Sequence, residues 1–292
     1  MSQRIVIDSH AKINLYLEVL AQRDDGFNNI ETIFQTVSLA DTLTLEEDAA
    51  LSFSCDDPAL AAESDNLVER AARTLLVHAG VARGARMHLA KRIPVAAGLA
   101  GGSGDAAAAL YGLNQLWQLG LDDDTLATLA LALGSDVPYC LRGGTALATG
   151  RGEAIVALPE LPETWLVLVH PPVGVSAGWV YRHPGLARNL EAPVAGRTPR
   201  FARALDALSR GDLAACVLNG MESVVFAEHP QLAAWKGELL AHGCTAAAMS
   251  GSGSTLFGIC AGEAQAREVA LRFPGVRTSV VRSVGEGLRR VE

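Results

Sequence analysis

An α+β fold in two domains is predicted by three observations. Strand-like and helix-like segments come in groups, without the steady βαβ alternation of a doubly wound sheet. At 292 residues the chain exceeds a typical single domain. A polar break bracketed by Pro159 and Pro162 divides it, so residues 1–160 and 161–292 read as N- and C-terminal domains.

The elements follow from local pattern. Ile5-Val6-Ile7 and Ile13 to Val19 read as strands, the second with apolar and polar positions alternating. Arg23-Asp-Asp-Gly26 is a turn, and Thr32–Val37 and Asp41–Leu45 are two further strands. Asp65-Asn66 can cap a helix carrying Leu67, Ala71, Leu75 and Leu76 on one side. Ala85 to Lys91 alternates as a strand. A helix runs to about Leu119 with Leu110, Leu113, Leu116 and Trp117 as its stripe, and Asp105 falls in its first turn. Asp122 to Asp124 open another helix, closed by Gly134. Thr145–Thr149 and Ile155–Leu158 are strand-like. Beyond the break come the apolar strand Trp165–Val169 and helical patterns near 176–182, 200–209, 212–217 and 231–241. A small-residue run then leads into Leu256–Ile259, a helix over Glu263–Phe273 and a last strand at Thr278–Arg282.

Composition narrows the function. Apolar residues make up 49% and charged residues 19%, which suits a soluble protein with substantial cores. A net charge of −8 argues against a general nucleic-acid binder, yet leaves room for a small anion held by a few cations and backbone amides. Five scattered cysteines, never spaced Cys-x-x-Cys, favour free thiols in a reducing cytoplasm over disulfides or zinc. Met1 to Lys12 lacks the apolar core of a leader, and no run is long enough to cross a bilayer. A cytoplasmic protein, a monomer or weak homodimer without membrane or nucleic-acid partners, is the expectation.

The segment most suggestive of chemistry is Pro94-Val95-Ala96-Ala97-Gly98-Leu99-Ala100-Gly101-Gly102-Ser103-Gly104, which runs straight into a helix. Small residues let the backbone approach a ligand, and a helix start offers free N–H groups at the positive end of its dipole. Together they suit a polyanion such as nucleotide phosphates. Neither G-x-x-x-x-G-K-[ST] nor G-x-G-x-x-G with a following acid fits, so this is another class of phosphate binder. Asp136, between Gly134 and Pro138, is either a helix cap or a positioned carboxylate.

The glycine segment resembles the ATP loop of the GHMP kinase superfamily. Ala11-Lys12-Ile13-Asn14-Leu15 is similar to its N-terminal motif and Met249-Ser-Gly-Ser-Gly-Ser-Thr255 to its C-terminal glycine motif, in the same order. Arg23-Asp-Asp-Gly26, Thr32-x-Phe34-Gln35, Asp65-Asn66-Leu67 and Gly134-Ser-Asp136-Val-Pro138 resemble the branch acting on a cytidine-diphosphate-linked polyol in non-mevalonate isoprenoid synthesis. The resemblance implies an N-terminal domain like ribosomal protein S5 domain 2, a ferredoxin-like C-terminal domain, and phosphoryl transfer from ATP with Mg²⁺ to an alcohol. It implies Asp136 as base and Lys12 as its electrostatic partner. ATP contacts would come from Pro94 through Gly104 and from Asn66, with Ser103 near the metal. Asn14, Phe27, Asn28, Tyr181 and Gly251 would meet the acceptor, Phe27 and Tyr181 sandwiching the base. Two departures stand out. Gly104 replaces a second serine, and Phe27-Asn28 replaces the branch's usual Tyr-His.

Overall fold

A computed structural model describes residues 3–61 and 65–292. Met1 and Ser2, the first two residues of the segment read as lacking a leader's apolar core, lie outside that range. The chain opens with two long antiparallel strands, β1 (Arg4–Gln22) and β2 (Asn28–Asp48). Each unites two segments that the sequence pattern separates. Register shifts at His10/Ala11 and Asn14/Tyr16 interrupt the alternation without ending the strand. Lys12 and Asn14 stand between those shifts.

Next come β3 (Leu51–Cys55), α1 (Pro58–Ala61), α2 (Leu67–Ala79) and β4 (Gly84–Ala90). The glycine segment leads into α3 (Gly101–Leu116), followed by α4 (Asp123–Leu133), α5 (Val137–Arg142), β5 (Thr145–Thr149) and β6 (Ala154–Ala157). The second half holds β7 (Trp165–His170), α6 (Ala177–Arg182), α7 (Pro199–Ser209), α8 (Leu213–Cys216), β8 (Leu218–Asn219), α9 (Glu222–Glu228) and α10 (Pro230–Ala241). It closes with β9 (Ala246–Met249), β10 (Leu256–Cys260), α11 (Glu263–Ala270), β11 (Arg277–Arg282) and β12 (Leu288–Arg290).

Two sheets result. The larger runs β12-β1-β2-β4-β3, with β5 on β2, β6 on β5 and β8 on β1. The smaller runs β11-β7-β10-β9, all antiparallel, with α10 and α11 in the crossovers. That β-α-β-β-α-β order is the ferredoxin-like arrangement expected for the C-terminal half. Two short strands from that half, β8 and β12, pair with β1.

Helix α3 is the core of the larger unit. Ala106 to Leu110, Leu113 and Leu116 are buried against Ile7 and Leu45 on the sheet. Gly112 sets the distance: a Cβ there would lie 2.4 Å from Leu45 Cδ1. The helix starts at Gly101, earlier than the sequence suggests, because Ala100 caps it in the left-handed region with φ 57°. Asp105 is therefore one turn inside the helix and not in its first turn. A second core forms where the sheets meet. Ala11, Ile13 and Leu15 of β1 pack with Leu166, Leu168, Ala248 and Phe257 of the smaller sheet. Alternation along the strand then sends Lys12 and Asn14 to the opposite face.

Candidate active site

That face opens on a cavity of about 520 Å³ lined by Lys12, Asn14, Asn28, Phe34, Asp136 and Tyr181 among others. Lys12 Nζ lies 3.6 Å from Asp136 Oδ2, with the lysine side chain 6% exposed and the aspartate 35%. Lys12 also donates to Asn14 Oδ1 (2.7 Å) and sits 5.2 Å from the centre of the Phe34 ring. Asn14 in turn donates to Thr32 Oγ1 (2.8 Å). The ammonium is thus fixed from three sides with its charge aimed at the carboxylate. Asp136 occupies the N-cap position of α5, yet its side chain makes no capping hydrogen bond. The cap alternative fails on that point, and the carboxylate is left to face the cavity.

A second cavity, about 320 Å³, is lined by Asn66, Leu67, Lys91, every residue from Pro94 to Ser103, and Asp105. Gly98 and Ala100 line both cavities. The glycine segment is a shared wall. Three residues of its turn, Ala96, Gly98 and Ala100, have positive φ. Helix α3 has no side-chain cap, which leaves its leading amides without that partner, and its first residues line the second cavity. Gly101, Gly102 and Ser103 are the first turn of that helix. Gly104 instead faces the core, 3.5 Å from Ser9 Cβ measured at a built Cβ. Asn66 Oδ1 accepts from Val68 N (2.8 Å) as the cap of α2, and the residue also lines this cavity.

The turn between β9 and β10 closes on the same wall. Ser250 Oγ donates to Gly98 O (2.8 Å) and accepts from Asn14 N (3.3 Å), while Thr255 N donates to Ala97 O (3.2 Å). Asn219, on β8, donates to Met249 O and Gly251 O at 2.7 and 2.8 Å. Three motifs scattered over the chain therefore meet at Gly98, and Gly251 lines the first cavity.

Asp105 has a structural task. Its Oδ2 accepts from Lys91 Nζ (2.8 Å) and its Oδ1 from Ser9 Oγ (3.1 Å), so neither oxygen is spare for metal water. Lys91 also pairs with Asp41, whose Oδ1 accepts from Ile93 N (2.8 Å). This buried trio ties the entry of the glycine segment to α3. Burial first, and the Asp41 charge after Lys91 is counted, push the Asp105 carboxyl up to about 7. A carboxyl raised on folding favours the protonated folded form, so its contribution is complete below the unfolded value near 3.8 and is lost as pH rises through about 7. Urea unfolding at pH 4.5 and 8 should show the wild type losing stability that Asp105→Asn keeps, a difference of the order of 1 kcal/mol. Parallel pH profiles for the two proteins would refute this account of the trio.

The far end of the first cavity holds the remaining candidates. Phe27, at the tip of the β1–β2 turn, is 52% exposed and carries the Arg151 guanidinium 4.7 Å from its ring centre. Burial, and then the Asp136 charge, drive the Tyr181 hydroxyl far above its ordinary range. Asn28 is buried and accepts from Arg188 Nε (3.1 Å). Arg151, Arg182, Ser135 and Met221 line this cavity without having been singled out in the sequence. Gly150-Arg151-Gly152 carried a signal, a cation between two glycines just after a strand. Arg188 carried none, lying in an irregular stretch.

All five cysteines are free thiols, with Cys244 and Cys260 Sγ 3.7 Å apart. Among the described residues no helix is long and apolar enough to cross a membrane, and no group of three or more His, Cys, Asp or Glu could hold a metal. A Mg²⁺ ion would therefore depend on ligands brought by phosphates and water. Ser103, which donates no hydrogen bond among the described residues and lines the second cavity, suits such an ion as one hydroxyl ligand.

Comparison with known proteins matches residues 66–144 to the family described as GHMP kinases N terminal domain and residues 186–276 to GHMP kinases C terminal. A 4-diphosphocytidyl-2-C-methyl-D-erythritol kinase of Enterococcus faecalis is 43% identical over 91% of this chain and 93% of its own. One of Pelotomaculum thermopropionicum is 44% identical over 91% and 92%. A crystal structure of 4-(cytidine 5'-diphospho)-2C-methyl-D-erythritol kinase superposes with a TM-score of 0.80 at 35% identity, covering 98% of this chain and 100% of that one.

Proposed function

Because the chain belongs to the GHMP kinase family, we propose that it transfers the γ-phosphoryl group of ATP to the 2-hydroxyl of 4-diphosphocytidyl-2-C-methyl-D-erythritol. The observation that carries this reading is the Lys12–Asp136 pair, set beside the wall that the two cavities share. ATP enters the cavity of the glycine segment, with its β- and γ-phosphates on the leading amides of α3. The cytidine-linked polyol fills the other cavity and presents its hydroxyl to Asp136.

Phosphoryl transfer needs alignment and charge stabilisation more than covalent help. Asp136 takes the hydroxyl proton as the oxygen attacks phosphorus. Lys12, 3.6 Å from that carboxylate, balances the negative charge gathering between acceptor and phosphate. Asn14 holds the ammonium in place. Ser103 would offer a hydroxyl to a Mg²⁺ ion bound with the nucleotide, and such an ion would supply neutralisation of phosphate charge. Residues 1–160 supply most of the ATP side and 161–292 the closing turn and Tyr181. The enzyme works in the cytoplasm on small molecules, as a monomer or weak homodimer.

ADP release with ATP, Mg²⁺ and a panel of acceptors tests the proposal. Turnover of the cytidine-linked methylerythritol alone is the expected result. Turnover only of a sugar, homoserine or mevalonate would assign another acceptor, and ATP binding without turnover would leave a regulator.

A further inference from the structure

Asn28 stands where a side chain can choose between pyrimidines. On β2 it lies six positions before Phe34, the residue opposite Asn14, which is roughly 20 Å of extended strand. That span leaves room for a cytidine-diphosphate-linked polyol, with its hydroxyl at Lys12 and its base at the end lined by Asn28, Phe27 and Tyr181. The residue is only 7% exposed and lines the cavity. Its amide has a donor side and an acceptor side, and the base will meet one of them.

Arg188 decides which. A guanidinium can only donate, so the bond from Arg188 Nε to Asn28 Oδ1 (3.1 Å) obliges the amide to turn its oxygen away from the base. The Nδ2 hydrogens then face the cavity, and they have no partner among the described residues. Arg188 is itself held, donating through Nη1 to Leu186 O (3.4 Å) and through Nη2 to Tyr181 O (3.3 Å). The second bond also fixes the backbone of the residue whose ring lines the same end.

We infer that Arg188 is the positioning residue that makes this site cytosine-selective, by locking Asn28 with its N–H donors toward the base. Cytosine offers acceptors at N3 and O2, which match those donors. Uracil carries a hydrogen on N3, which meets another hydrogen and leaves both groups unpaired. The departure at Asn28 from the usual histidine is thus compensated within this chain. The inference rests on the proposed function for the cytidine substrate, and goes beyond it in naming what reads the base.

The test compares the 4-diphosphocytidyl and 4-diphosphouridyl forms of the acceptor. Wild type should favour cytidine in kcat/KM by about a hundredfold. Arg188→Met frees the amide to rotate, so that preference should fall about tenfold through acceptor KM, with kcat and the KM for ATP within about twofold. Arg188→Lys, which still donates to Oδ1, should restore most of the preference. Asn28→Asp keeps the bond to Arg188 but removes the donors, and should likewise lower the cytidine preference; if Arg188→Met does not fold, Arg188→Ala carries the test of Arg188. Failure of the unmutated protein to turn over the cytidine acceptor would overturn the proposed function itself. Turnover with an unchanged base preference in the Arg188 variant would overturn the role of Arg188 alone, whatever Asn28→Asp does.

Discussion

Replacing Asp136 by Asn should lower kcat by about 10³-fold and leave the KM for ATP within about twofold of wild type. The amide keeps the shape and hydrogen-bonding reach of the carboxylate but cannot take the proton of the attacking hydroxyl. The fold should survive. Lys12 retains Asn14 Oδ1 and the Phe34 ring as partners, and Asp136 is one-third exposed, so water can compensate part of the lost pair. The separation of effects follows from geometry, since Asp136 lines the acceptor cavity and not the one around the glycine segment. Lys12→Met should also be severe, and the double variant should be little worse than Asp136→Asn, because the two side chains act as a unit. Turnover close to wild type in Asp136→Asn would remove it as the base.

The site was legible wherever function needed a local pattern. Ala11-Lys12-Ile13-Asn14-Leu15 carries its own explanation: alternate residues fill the seam between sheets, and the two polar ones are left for the cavity. The glycine segment announced itself by composition. What stayed hidden depends on partners distant in sequence. β12 is three residues long, two of them arginine, and exists because β1 offers it an edge. The start of α3 could not be placed from sequence because Ala100, a residue with no capping side chain, adopts positive φ to fit the wall of two cavities. Asp105 consequently read as a first-turn acid, when its environment is set by Lys91, Asp41 and Ser9. Arg188 acts through Asn28 across 160 positions, and no periodicity leads to it.

Gly98→Ala should be severely damaging, because it strikes the wall that the two cavities share. A Cβ at Gly98 would stand 2.1 Å from the Ser250 carbonyl oxygen and 3.1 Å from Gly253 N, and both are backbone atoms that no rotamer change can move. The position also has φ +76°, where alanine is strained by about 1–2 kcal/mol before any contact is counted. Overpacking adds about 1–3 kcal/mol, so a loss of about 2–5 kcal/mol in denaturant unfolding is expected. The functional cost should exceed the stability cost. Pushing the Ser250–Gly253 turn away breaks the bonds from Ser250 Oγ to Gly98 O and from Thr255 N to Ala97 O, and loosens the one from Asn14 N to Ser250 Oγ. Asn14 is what steadies Lys12, so the disturbance reaches the reacting end, and kcat/KM should fall about 10²-fold even in conditions where the variant is fully folded. Gly102→Ala is the matching control. Its Cβ would meet only Leu67 Cδ1 at an ordinary 3.5 Å, inside a helix, so stability should hold or rise by about 0.5 kcal/mol. If the two alanine variants unfold at the same denaturant concentration, the glycine segment and the β9–β10 turn do not support one another at Gly98, and the shared wall loses its physical basis.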